Sequence, residues 1–145
     1  MFGCDSTLEV MDWPSAGVVL KGFSNVEDNF VWQTGRFGEI NFDFQESSKG
    51  RCANIDVMLD MDVFKHGEAH PGQNVFVYLN GLRIGSFYMS YRRMVICSVP
   101  ASLLRAKGNV LTLDTPDSIQ PRKVGVEDDR VLGVQLFSLQ FRRDA

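Results

Sequence analysis

Apolar and polar residues alternate along most of this chain with a period of two. In 39–45 (EINFDFQ), Ile40, Phe42 and Phe44 share one face, while Glu39, Asn41, Asp43 and Gln45 share the other. In 54–64, Ile55, Val57, Leu59, Met61 and Val63 face one way and Asp56, Met58, Asp60 and Asp62 the other. Side chains of a strand point alternately to its two sides, so this pattern predicts antiparallel strands with one dry and one solvated face. Residues 73–89 predict a β-hairpin turning at Asn80-Gly81, because a two-residue type I′ turn needs positive φ at both central positions. Val75, Val77 and Leu79 lead into the turn; Leu82, Ile84 and Ser86 lead out. Further strands are expected at 92–100, 109–116 and 130–141, with shorter candidates in TLEVMDW and GVVLKGF near the N-terminus. Between the first two, Pro100, Leu103, Leu104 and Gly108 predict one short helical turn.

The closing strand slips phase. Leu132, Val134 and Leu136 hold even positions, then Phe137, Leu139 and Phe141 odd ones, and a β-bulge near Leu136 would keep both sets inward. With no long amphipathic helix and no repeat, the elements predict an all-β, antiparallel, jelly-roll-like β-sandwich with one short helical turn. One domain is expected over 1–145, its core spanning roughly 7–142. The abrupt opening MFGCDSTLEV reads as that of an excised domain.

Composition narrows the partners. The 15 Lys and Arg residues are outnumbered by 18 Asp and Glu and are scattered as isolated pairs, which argues against nucleic acid. No apolar run is long enough to insert in a membrane. Cys4, Cys52 and Cys97 form no C-x-x-C pair; Cys52 and Cys97 read as small core residues, favouring a reducing, cytoplasmic compartment. His66 and His70 are four apart, but Gly67, Pro71 and Gly72 make that segment a turn rather than a helical metal site. No nucleophile elbow, phosphate loop or zincin motif is present, and no enzyme is expected. Asp56, Asp60 and Asp62 read as a solvated sheet face. Calcium held by Asp and Asn oxygens is the one cofactor left open, although no D-x-D-x-D-G loop offers it a seat.

Residues 24–36 mix ring and hydrogen-bonding side chains: Ser24, Asn25, Glu27, Asn29, Trp32, Gln33, Thr34 and Arg36. Trp32 is either a core residue or a stacking platform for the C–H face of a sugar. Asp128 and Arg130, just ahead of the last strand, read as a structural clamp with Arg130 forking onto Glu27 or another carboxylate.

In order, Gly22-Phe23-Ser24 with Glu27, Trp32 with Gly35, Asn80-Gly81, Pro100 with Leu103-Leu104, and Asp128 with Arg130, Leu132 and Gly133 resemble one family over most of 13–141. It is that of small all-β accessory domains fused to bacterial glycosyltransferases and other envelope-polysaccharide proteins. One departure is Thr34, whose hydroxyl falls a residue after the family's position. The resemblance implies a non-catalytic, carbohydrate-associated module whose loop is locked against the last strand. Glycan is then expected to stack on Trp32, Tyr78, Tyr88 or Tyr91 and to hydrogen-bond to Glu27, Asn29 and Arg36. The competing expectation is a docking domain, pairing with a partner or as a homodimer through Phe76, Tyr78, Phe87 and Tyr88 on the hairpin's outer face.

Overall fold

The computed structural model describes residues 5–9, 12–45 and 53–143. Its elements are β1 (Ser6–Glu9), α1 (Trp13–Ala16), β2 (Val19–Lys21), β3 (Val31–Trp32), β4 (Phe37–Phe42), β5 (Asn54–Val63), β6 (Gln73–Leu79), β7 (Leu82–Met89), β8 (Arg93–Pro100), β9 (Asn109–Asp114) and β10 (Val134–Arg143). Two five-stranded antiparallel sheets form. The first runs β1-β10-β5-β8, with β3 also paired to β10; the second runs β2-β4-β9-β6-β7. Among the described strands, only the β6–β7 connection stays within one sheet, and each other pair of successive strands lies in opposite layers. That is a jelly-roll-like β-sandwich, the predicted class.

The crossing explains the period of two, since each strand turns one face to the opposing sheet. Ile40, Phe42 and Phe44, Ile55 through Val63 in alternation, Val75, Val77, Leu79, Leu111, Leu113, Leu139 and Phe141 build one core cluster. Phe141 sits against both Phe42 and Phe44, ring centroids 5.4 and 5.3 Å away. Cys97 is buried in that core, where burial pushes its thiol up to about 11. Cys4 and Cys52 lie outside the described residues.

The hairpin turns at Asn80 (φ 50°) and Gly81 (φ 87°), both left-handed as the turn requires. Its second strand differs from expectation. A register shift between Val77 and Tyr78 reverses the parity of β7. Beyond the shift Phe87 lies opposite Val75 and packs against the core edge rather than on the outer face, while Leu82, beside the turn and opposite Leu79, is exposed.

The bulge in β10 falls where the phase slip predicted, between Leu136 and Ser138. Leu136, Leu139 and Phe141 all reach the core, but Phe137 does not. It is the extra residue, and it packs against Phe30 (5.6 Å) with the Arg92 guanidinium 3.5 Å above its ring. The strand starts at Val134, with Leu132 held instead by a bridge to Ile119.

The second face of β5 is not a bare solvated face. Asp56 is 6% and Met58 7% exposed, because β5 lies between β10 and β8. Ser98 and Arg142 both donate to Asp56, Arg92 forks onto Asp60, and Lys65 caps Asp62. Near the N-terminus the TLEVMDW candidate is strand in its described part up to Glu9, and Trp13 begins a one-turn helix ended by Gly17 (φ 77°). Short 3₁₀ turns lie at Ala101–Leu103, inside the predicted helical turn, and at Pro121–Val124.

Candidate functional site

The 22–36 segment is a folded-back tongue between β2 and β4. Gly22 starts it at φ 78°, with its backbone so close to Phe37 that a Cβ there would lie 2.5 Å from the Phe37 carbonyl. Ser24 and Trp32 pair across the tongue. The Ser24 N–H donates to the Trp32 carbonyl at 2.7 Å, and the Trp32 N–H donates to the Ser24 hydroxyl at 2.9 Å. Glu27 and Phe30 close the tip through a turn carrying Asp28 at φ 57°.

The base of the tongue is tied by Gln33, which is fully buried. Its amide Nε2 lies within donating distance of the carbonyls of Arg36 (2.8 Å) and Leu113 (3.1 Å) and of the Thr115 hydroxyl (3.0 Å). Its backbone exchanges hydrogen bonds with Val134 and Gly133. Gly133 leaves room for this knot, since a Cβ there would lie 2.5 Å from the Thr115 Oγ1. Gln33 is thus a structural joint and not one of the tongue's free hydrogen-bonding groups. Nothing in the sequence marks it, because an amide in a polar loop looks solvated until residue 113 is known to lie beside it.

Arg130 ties the tip to the chain leading into β10. Its Nη1 donates to Glu27 (2.8 Å), its Nη2 to Asp128 (2.8 Å), and its Nε also reaches Asp128. These donated bonds hold the Glu27 and Asp128 carboxyls below the usual carboxylate range, while Arg130 is pushed up mainly by Asp128 and then by Glu27. Asn29 is exposed at the tongue tip. Trp32 is half-buried, edge-on to Phe30 (6.0 Å) and Phe64 (6.5 Å) at the end of the first sheet.

Arg36 and Tyr78 lie elsewhere, on the outer face of the second sheet. Cross-strand pairing sets out one row, Lys21–Glu39–Thr112–Tyr78–Arg83. A second row runs Phe37–Asp114–Phe76–Ser86, and Asn74 opposite Tyr88 follows. Strands lie about 4.8 Å apart, so each step across the rows is close to the length of one pyranose ring. Phe37 is 56% exposed. Arg36 grips Asp114 through Nε (2.8 Å) and Nη2 (3.3 Å), with its guanidinium 5.0 Å from the Phe37 ring. Arg83 lies 5.7 Å over Phe76. The Asp114 hydrogen bond, then its charge, raise the Arg36 pKa further.

The sequence-nominated residues therefore divide between two places: Glu27, Asn29 and Trp32 at the tongue, and Arg36, Tyr78 and Tyr88 on the second sheet. Phe37, Thr112 and Asp114 were missed. Phe37 was legible, since it falls on the parity opposite to Ile40 and Phe42 and must face outward. His66 and His70 pair through their backbones around Gly67, as a turn. Among the described residues, no three His, Cys, Asp or Glu side chains gather as a metal site would require.

No protein-family model matches the chain, and no curated protein matches it. Solved structures do share its architecture. The CBM36-1 domain of a multidomain xylanase from the hindgut metagenome of Trinervitermes trinervoides is similar, with a TM-score of 0.56 and 10% identity over 97% of this chain and 98% of that one. A carbohydrate-binding module CBM36, in complex with calcium and xylotriose, gives 0.50 and 11% over 94% and 98%. An acetyl xylan esterase (Est2A) from the rumen bacterium Butyrivibrio proteoclasticus gives 0.52 and 10%, this chain matching 96% of itself to 32% of that protein. The fold is thus the β-sandwich seen in carbohydrate-binding modules.

Proposed function

We propose that this chain is a non-catalytic saccharide-binding module of a saccharide-processing protein, with a glycosyltransferase the host that the sequence pattern favours. The observation that carries the reading is the outer face of the second sheet. An exposed Phe37 lies beside Arg36, with Tyr78, Thr112, Glu39 and Arg83 spaced across neighbouring strands. A pyranose needs an apolar ring for its C–H face and donors and acceptors for its hydroxyls, and this face offers both. Asp114 holds Arg36 in place while the rest of its guanidinium faces solvent. The similar folds of xylan-associated modules support the same reading. No calcium is assigned: the tongue's Glu27 and the nearby Asp128 are both already paired with Arg130.

The test is a glycan array followed by calorimetry, with thermal melts confirming that each variant is folded. Covering one side of the Phe37 ring is worth about 1–1.5 kcal/mol, half of a full burial. Phe37→Ala should therefore weaken binding about five- to tenfold. Absence of binding across a broad panel would refute the module reading. Binding that survives Phe37→Ala but vanishes in a folded Trp32→Ala protein would move the site to the tongue.

A further inference from the structure

A second feature adjoins this face. A cleft of about 410 Å³ opens between β2 and the first half of the tongue, within the size range of small-molecule sites. Trp13, Val18, Leu20, Phe23, Val26 and Val31 line it, and Trp13, only 1% exposed, is one of its most buried walls. The described lining residues include no charged side chain. The cleft's polar residues are Ser24, whose hydroxyl already donates to the Asn25 carbonyl and accepts from the Trp32 N–H, and the exposed Asn25. Away from Asn25, the walls formed by Trp13, Val18, Leu20, Phe23, Val26 and Val31 reject ions and would desolvate sugar hydroxyls without giving them partners. They suit an alkyl or aryl group.

Val19 joins the cleft to the outer sheet face. It lines the cleft, is 55% exposed, and stands opposite Asn41 on the outer face, one step along β2 and β4 from the Lys21–Glu39 row. We infer that the module takes a saccharide carrying an apolar substituent, the sugar lying on the second sheet and the alkyl or aryl group in the cleft beside Val19. This rests on the saccharide-binding reading and gives it a ligand class: a glycoconjugate rather than a bare glycan.

A chain-length series tests it. Methyl, butyl, hexyl and octyl gluco-, galacto-, xylo- and mannopyranosides are titrated below their micelle concentrations, beside the matching n-alcohols. Calorimetry is paired with Trp13 fluorescence in a Trp32→Phe background. Burying a methylene is worth about 0.8 kcal/mol, so affinity should climb about fourfold per methylene until the cleft is full. Each glycoside should also bind more tightly than its alcohol. Val26→Trp, a plug at the exposed mouth read by calorimetry alone because it adds an indole, should flatten the series while leaving the methyl glycoside unchanged.

A methyl glycoside that binds as well as the octyl one overturns the inference and leaves the module reading standing. Alcohols that match their glycosides overturn it as well, since the cleft would then accept alkyl groups without a sugar. A rise that persists in Val26→Trp overturns the placement in this cleft. No binding in any of the series overturns the inference, while the module reading stands or falls with the glycan array.

Discussion

Gln33→Leu is the most direct probe of how the tongue is held. Leucine nearly matches the volume of glutamine but cannot donate, so the substitution isolates the amide's hydrogen bonds. The Nε2 group has two hydrogens to share among the Arg36 and Leu113 carbonyls and the Thr115 hydroxyl. Arg36 keeps a partner in the variant, because the Thr115 N–H also donates to its carbonyl at 2.8 Å. The Leu113 carbonyl loses its amide donor, and a buried acceptor left wanting costs about 1–3 kcal/mol. Part of that is returned, since Gln33 Oε1 is itself buried without a partner among the described residues and disappears with the mutation. A net loss of about 1 kcal/mol follows, or about 2–4 °C in Tm for a chain of this size. Thermal unfolding by circular dichroism reads it. Gln33→Glu gives an internal check: its buried carboxylate would face backbone carbonyls, with the Thr115 hydroxyl its one available donor, so it should be worse than leucine at pH 7 and recover toward pH 4, where the protonated acid donates once. A Gln33→Leu protein melting within a degree of wild type would refute the claim that this amide ties the tongue down.

Gly22→Ala should cost about 2–4 kcal/mol, since it combines a left-handed backbone with a Cβ at 2.5 Å from the Phe37 carbonyl; chemical denaturation reads the midpoint shift. Asn80→Gly keeps positive φ at no strain but loses side-chain bonds to the Leu103 carbonyl, Asn109 and the Val110 N–H. It should still destabilise by about 1–3 kcal/mol, and a neutral result would mean that Asn80 serves the turn alone. Arg130→Gln should lower Tm by about 2–4 °C at pH 7, consistent with about 1 kcal/mol from a partly exposed network. Because the Glu27 and Asp128 pKa values are depressed in the fold, their contribution is complete above the unfolded values near pH 4 and is lost as pH falls through the folded ones. Melts of wild type and variant should converge in acid, and a constant gap down to pH 2 would contradict this.

The elements most legible in the sequence were those whose signal is local. Alternation in 39–45 and 54–64 shows which side chains reach the core, and Asn80-Gly81 states its own turn geometry. Where a signal depended on a neighbour, it failed. The second face of β5 looked solvated because the sequence does not say that Arg92 and Arg142 will lie over its aspartates. Phe87 looked outward because the parity reversal in β7 leaves no mark comparable to the phase slip in β10. For the site, the ring and hydrogen-bonding residues were visible as types, but their division between the tongue and the second sheet was not. Arg36 and Asp114 are 78 positions apart in the chain, and only the pairing of β4 with β9 brings them together.

The bulge in β10 has a meaning for insertions and deletions. Leu136 is paired with Met61 and Ser138 with Asp60, so Phe137 stands outside the count of the ladder. Excising that one residue would let the ladder run on with Leu139 and Phe141 still turned to the interior, at the expense of the Phe30 and Arg92 contacts outside. Excising a residue away from the bulge would turn the strand beyond it inside out. Position 137 is therefore a length-tolerant point within a length-intolerant strand, and a residue-by-residue alignment to proteins about 10% identical has its natural gap there.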